Sequence, residues 1–188
     1  MNTPKWMLPV LLTALLMMGF NNCGKGTTTG NPKAPVSLSF SPYNASAKAT
    51  GSIQPMAVAS LVMCFDRLRF KTADIGGSEE EIDVYLGEVT LSPAGTNLAD
   101  IEVPHGTYER IEFDLDDKCA SGRSVQVQNG NGFFFTNENM TIRFEGTFTA
   151  DEASGNLELF IQNIVSALNT VSSNSQIRSK AEGASGTF

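Results

Sequence analysis

The most regular segment of the chain reads VPHGTYERIEFDLD, residues 103–116. Ile111, Phe113 and Leu115 fall on one side of an extended chain and Arg110, Glu112, Asp114 and Asp116 on the other. This is the two-residue period of a strand with one face in a core and one in water. Pro104 and Gly106 precede it, and fixed and permissive φ respectively suit them to a tight turn.

The same period recurs on both sides. In Arg67-Leu68-Arg69-Phe70-Lys71 the basic residues share one face and the apolar residues the other. Val62 and Cys64 have the parity of Leu68 and Phe70, which predicts an inward Cys64. Asp66 interrupts that row, so either a bulge resets the register there or a buried carboxylate is paired. Ile82, Val84 and Leu86 continue the theme, and Val89-Thr90-Leu91 runs into a turn at Ser92-Pro93-Ala94-Gly95. Val125 and Val127 alternate with Gln126 and Gln128 before Asn129-Gly130, a hairpin signal because both turn residues tolerate positive φ. Met140, Ile142, Phe144 and Phe148 alternate with polar residues, and Leu157, Leu159 and Ile161 supply a further strand. Short alternating strands with turn chemistry between them predict an all-β antiparallel sandwich of prealbumin or immunoglobulin type. Ile161, Ile164, Val165, Leu168 and Val171 instead fit helical spacing, which predicts one short helix over 162–172.

The P-x-G-x-Y turn, Pro104-His105-Gly106-Thr107-Tyr108, together with Asp66-Arg67-Leu68-Arg69-Phe70, resembles a family of exported bacterial domains of unassigned function. That resemblance covers about residues 58 to 116 and implies a prealbumin-like β-sandwich.

The amino-terminal region points to export. Lys5 is followed by an apolar run from Trp6 to Met18, broken only by Pro9 and Thr13, and then by Asn21-Asn22. The run is shorter than the roughly 20 residues that span a bilayer. Cys23 follows it, and the arrangement resembles the signal peptides of bacterial lipoproteins, whose cysteine is lipidated and becomes the new amino terminus. Phe20-Asn21-Asn22 depart from the small residue such signals place before the cysteine. Gly19, Gly24 and Lys25 approach the spacing of a phosphate-binding loop, but Gly26 replaces its hydroxyl. Two prolines then follow in place of a helix. The expected organisation is a signal peptide over 1–22, a lipidated amino terminus and flexible tether over 23–56, a sandwich over 57–172 and a disordered tail over 173–188. Within the tether, Val36-Ser37-Leu38-Ser39-Phe40 is a candidate strand.

Charge narrows the partners. Residues 1–22 hold one of the 13 basic groups and none of the 20 acids, so the remainder carries a net −8. Residues 61–188 hold nine basic and twenty acidic groups, a balance that repels nucleic acid. Export also changes the reading of the cysteines: with Cys23 assigned to lipid, Cys64 and Cys119 are left to pair in an oxidising compartment.

Catalytic chemistry finds little support. His105 is the one histidine, no Gly-x-Ser-x-Gly elbow exists, and the Cys/His spacings of a zinc site are missing from the sequence. Asp114, Asp116 and Asp117 cluster oxygen ligands and are candidates for calcium, although Lys118 occupies the next ligand position of a calcium loop. Phe133-Phe134-Phe135 follow the hairpin signal; in a strand the middle ring faces opposite its neighbours, so Phe134 is a candidate platform for a sugar ring or a protein partner. The commoner alternative is a strand buried on both faces. The expectation is a non-catalytic structural or binding module without a cofactor, held by a lipid anchor in the cell envelope, the outer membrane ahead of the inner. A carbohydrate-binding or adhesion module is the first alternative and a cell-wall or polysaccharide hydrolase the second.

Overall fold

In the computed structural model, which describes residues 32–44, 58–72, 79–82, 84–153 and 155–188, the period-two segments form two packed sheets. In chain order the strands are β1 (Lys33–Phe40), β2 (Ser60–Thr72), β3 (Glu79–Ile82), β4 (Gly87–Leu91), β5 (Thr96–Pro104) and β6 (Gly106–Leu115). β7 (Val125–Asn129), β8 (Gly132–Thr136), β9 (Met140–Ala150), β10 (Asn156–Leu159) and β11 (Ser185–Thr187) follow. Two short helices, α1 (Gln162–Leu168) and α2 (Ile177–Glu182), complete the described elements with a 3-10 turn at Asn174–Gln176. The small sheet has the order β10-β1-β5 and the large one β11-β9-β6-β2-β7-β8, with β3 and β4 along the other edge of β2. The fold is an all-β sandwich with short C-terminal helices. Most pairings are antiparallel, and β1–β10 and β9–β11 are parallel.

Phe40 joins the sheets. It is the last residue of β1, and its ring centroid lies 5.9, 5.9 and 5.7 Å from those of Phe65, Phe113 and Phe144 on three strands of the large sheet. Phe65 and Phe113 meet edge-on at 5.3 Å and Phe113 and Phe144 at 5.8 Å, the tilted geometry aromatic quadrupoles favour. The candidate strand at 36–40 is therefore the middle strand of the small sheet, and the boundary expected at residue 57 moves back to Lys33. Alternation is again the reason: Ala34, Val36, Leu38 and Phe40 are buried while Lys33, Pro35 and Ser37 are exposed.

A bulge at Asp66 resets the register of β2. Phe65 pairs with Leu115 but Arg67 with Asp114, leaving Asp66 as the extra residue. Before it the inward residues are Leu61, Met63 and Phe65; after it they are Leu68 and Phe70. The expected inward parity of Cys64 is thereby corrected. Cys64 lies on the opposite side from the core row and is buried by its disulfide to Cys119, with Cα atoms 5.8 Å apart. This bridge pins the Asp116–Ser124 excursion between β6 and β7 to β2.

Between the sheets the chain turns at Pro104-His105-Gly106. The buried Tyr108 hydroxyl donates to the Pro104 carbonyl at 2.7 Å, which satisfies a polar group that the corner would otherwise strand. Gly106 lies beneath that ring, and a Cβ there would stand 3.5 Å from it. The His105 N–H donates to the Pro32 carbonyl, so the chain enters the sandwich at this corner.

Residues 173–188, expected to be a disordered tail, form the 3-10 turn, α2 and β11. Ile177 and Ala181 reach the core, and Gly186 lets β11 lie against β9: a Cβ there would collide with the Phe144 ring and the Phe160 carbonyl. The helix expected over 162–172 ends at Leu168, with Val171 buried beyond it.

Replacing Phe40 with alanine is expected to cost about 3–5 kcal/mol, the usual range for a buried phenylalanine. Urea unfolding followed by circular dichroism reads this as a lowered midpoint with unchanged slope, whereas Ser37→Ala, on the exposed face of the same strand, should move it by under about 0.5 kcal/mol.

Candidate functional site

Among the described residues Tyr85, Phe133, Phe135 and Phe160 are the large apolar side chains left exposed, and the outer face of the β7–β8 hairpin brings two of them, Phe133 and Phe135, side by side. Register sets its composition: Gln126 stands opposite Phe135 and Gln128 opposite Phe133. Phe133 and Phe135 are 52% and 38% exposed, and their centroids lie 6.1 Å apart. The Arg123 guanidinium stacks 3.9 Å from the Phe135 centroid and 5.7 Å from that of Phe133. Its Nη1 donates to Gln126 Oε1 at 3.1 Å. The sequence rule of alternation holds within the triplet, but its sense is corrected: Phe134, the ring expected outward, packs half-buried against the core, and its two neighbours face water. Because Val125 and Val127 already point inward on β7, the partner register leaves Phe134 no other side.

Polar contacts fix the hairpin. The buried Asn129 side chain donates to the Leu168, Asn169 and Val171 carbonyls at 3.2, 3.3 and 2.9 Å, covering acceptors at the end of α1. Asn131 Nδ2 donates to the Val171 carbonyl at 2.9 Å, and the Phe135 N–H donates to Asn174 Oδ1 at 3.1 Å. The aromatic surface is thus held by residues the sequence presented only as a turn and as part of a tail.

Two of the three candidate calcium residues, Asp114 and Asp116, are engaged by the chain's own cations. Asp114 Oδ1 lies 2.6 Å from Arg69 Nη2 and accepts from the Thr141 hydroxyl at 2.7 Å. The buried Asp116 carboxylate lies 2.6 Å from Lys118 Nζ, which also reaches Asp66 at 3.2 Å. Asp117 is exposed, and no group of three or more His, Cys, Asp or Glu among the described residues is placed to hold a metal. Nearby, Glu112 is 4% exposed and lies 3.2–3.6 Å from Lys71, Arg69, Arg143 and Arg110. Alternation put the charges on one face; cross-strand register converted them into a ladder of ion pairs, a structural use of the acids.

A concave surface elsewhere escaped sequence reasoning. The exposed face of the small sheet forms an open depression of about 620 Å³ lined by Ser37, Ser39, Asn97, Asp100, Asn156 and Glu158. Ser37 donates to Asp100 at 2.5 Å. Its polar residues come from three strands brought together by a parallel pairing with no local signal. Cys23 lies outside the described residues.

Burial acts to raise the Asp116 carboxyl, but hydrogen bonds and charge from Lys118 outweigh it and hold the group below its ordinary value near 3.8. A lowered folded-state value stabilises the fold above the ordinary value, and that contribution is lost as pH falls through the folded value. Lys118→Met removes the ammonium's hydrogen bond and charge while keeping the backbone N–H bond to Asp116, so its acid-unfolding midpoint should lie at higher pH than that of the parent, measured by fluorescence against pH; coincident acid limbs would contradict the pairing. No protein-family model, curated protein or solved structure matches the chain, and its functional reading accordingly starts from its own geometry.

Proposed function

We propose that this chain is a lipid-anchored lipoprotein of the bacterial cell envelope whose β-sandwich is a non-catalytic binding module, with the Phe133–Arg123–Phe135 surface as its contact face. The observation that carries the reading is the position of that face in the fold. The chain enters the sandwich at Pro32, beside His105. Thr72 of β2 pairs with Tyr108 near this corner, whereas Ser60 pairs with Gln128, the cross-strand neighbour of Phe133. Twelve residue steps of β2 separate the two ends, up to about 40 Å at roughly 3.3 Å per step. The aromatic face therefore lies at the far end of the domain from the point where an anchor would pull on it.

The leader and Cys23 supply the anchor in this reading, and the P-x-G-x-Y corner closed by Tyr108 supports kinship with the exported family it resembles. Nine residues, Gly24 to Pro32, separate Cys23 from β1. Even fully extended they reach about 35 Å, so an anchored domain stays within that reach of the bilayer. Two exposed rings and a guanidinium with amide neighbours form a set suited to contact; a nucleophile, base and orienting group are not brought together at this face.

Two arms test the reading. In the parent organism Cys23→Ser should move the protein from the membrane pellet to the soluble fraction; unchanged pelleting would contradict lipid anchorage. The double substitution Phe133→Ser with Phe135→Ser should abolish retention on a delipidated envelope preparation while leaving the melting temperature within a few degrees, and undiminished retention would contradict the contact face.

A further inference from the structure

We infer that the aromatic face takes a saccharide bearing a carboxylate, with the sugar ring on Phe133 and its acid group on Arg123. The inference rests on the binding-module reading and assigns a ligand class to the same surface.

Arg123 is the unusual residue. Among the described residues it forms no ion pair, and its side-chain hydrogen bond to Gln126 uses one of five N–H donors. In a domain this rich in carboxylates, three guanidiniums of the large sheet, Arg69, Arg110 and Arg143, are each bound to Glu112. A guanidinium stays charged at any physiological pH. Here it is fixed by stacking on Phe135 and by Gln126, so a bidentate pair with a carboxylate would lose little rotamer freedom.

The neighbouring rings select the body of the ligand. Arg123 covers the face of Phe135 at 3.9 Å and stands farther from Phe133, at 5.7 Å, so Phe133, at 52% exposure, is the more open ring. The C–H face of a pyranose can lie on such a ring, and the Gln128 amide beside it offers both a donor and an acceptor to hydroxyl groups. Two rings of about 200 Å² each, at 52% and 38% exposure, present under about 200 Å² of aromatic surface. A stable protein interface needs roughly 800 Å² per partner. That shortfall favours a small ring over a protein.

Charge sets the remaining limit. The whole chain carries −7, so a densely anionic polymer meets long-range repulsion while a single carboxylate beside an unpaired guanidinium gains local attraction. A sugar acid satisfies both conditions.

The test uses the full chain in detergent and a panel of uronic and other carboxylated oligosaccharides, each beside its methyl ester, with an acidic peptide as competitor. By titration calorimetry at least one acid should bind roughly tenfold more tightly than its ester, the margin of a charged over a neutral hydrogen-bond acceptor. Arg123→Gln should erase that margin and Phe133→Ala should remove binding of both forms, with melting temperatures retained. Equal affinity for acids and esters, an unchanged margin in Arg123→Gln, preference for the peptide, or no binding across the panel each overturns the inference. If envelope retention still depends on Phe133 in those cases, the binding module stands and only the ligand class falls; if retention is also lost or indifferent, both fall.

Discussion

The sandwich depends on one aromatic insertion. Phe40 reaches from the small sheet into the cluster of Phe65, Phe113 and Phe144, and without it the small sheet would keep only aliphatic contacts with the large one. Sheets bury one face each and are stable only against a partner layer. The residue supplying that contact sits in a stretch that composition alone assigns to a linker. Residues 33–40 are consequently part of the fold, and fewer residues remain between it and Cys23.

From that insertion the positions of the other features follow. β1 runs with β5 and β10, β5 turns through the Tyr108 corner into β6, and β6 hands its place beside β2 to β7 where the Cys64–Cys119 bridge holds the intervening loop. The substitution of β7 for β6 along one edge of β2 sets the β7–β8 hairpin beside the first residues of β2. Its turn is then secured on the C-terminal end of α1 by Asn129. Phe133 and Phe135 are thus carried on a hairpin tied down at its turn and along β8, so in the proposed binding role little ordering cost would accompany contact.

Much of this architecture was legible because alternation is a local signal. β6, β7 and β9 appear in the sequence as clean period-two runs, and the interruption at Asp66 left a bulge and a paired buried carboxylate as the two readings, of which the register shows the bulge. β5 was not legible: Thr96, Leu98 and Ala99 are all partly buried and Asn97 and Asp100 exposed, so its parity blurs around the slip between Leu38 and Ser39. The last sixteen residues have few large apolar groups, and their order comes from Ile177, Ala181 and the close fit at Gly186, contacts that only tertiary structure reveals. At the candidate site, the phenylalanine triplet was visible, but which rings face water was decided by the register with β7. Arg123 gave no signal, since its meaning lies in a stack on Phe135 and in forming no ion pair among the described residues.

Amide hydrogen exchange on the non-reduced full chain, resolved by residue, tests the place of β1 most directly. Ser37 to Phe40 are paired on both sides, with β5 and β10, and their N–H groups should exchange only through global unfolding, with the same opening free energy as the core of β6 and β9. Exchange of Leu38 and Phe40 at the rate of an unstructured peptide, while β6 remains protected, would contradict a sandwich closed by its amino-terminal strand.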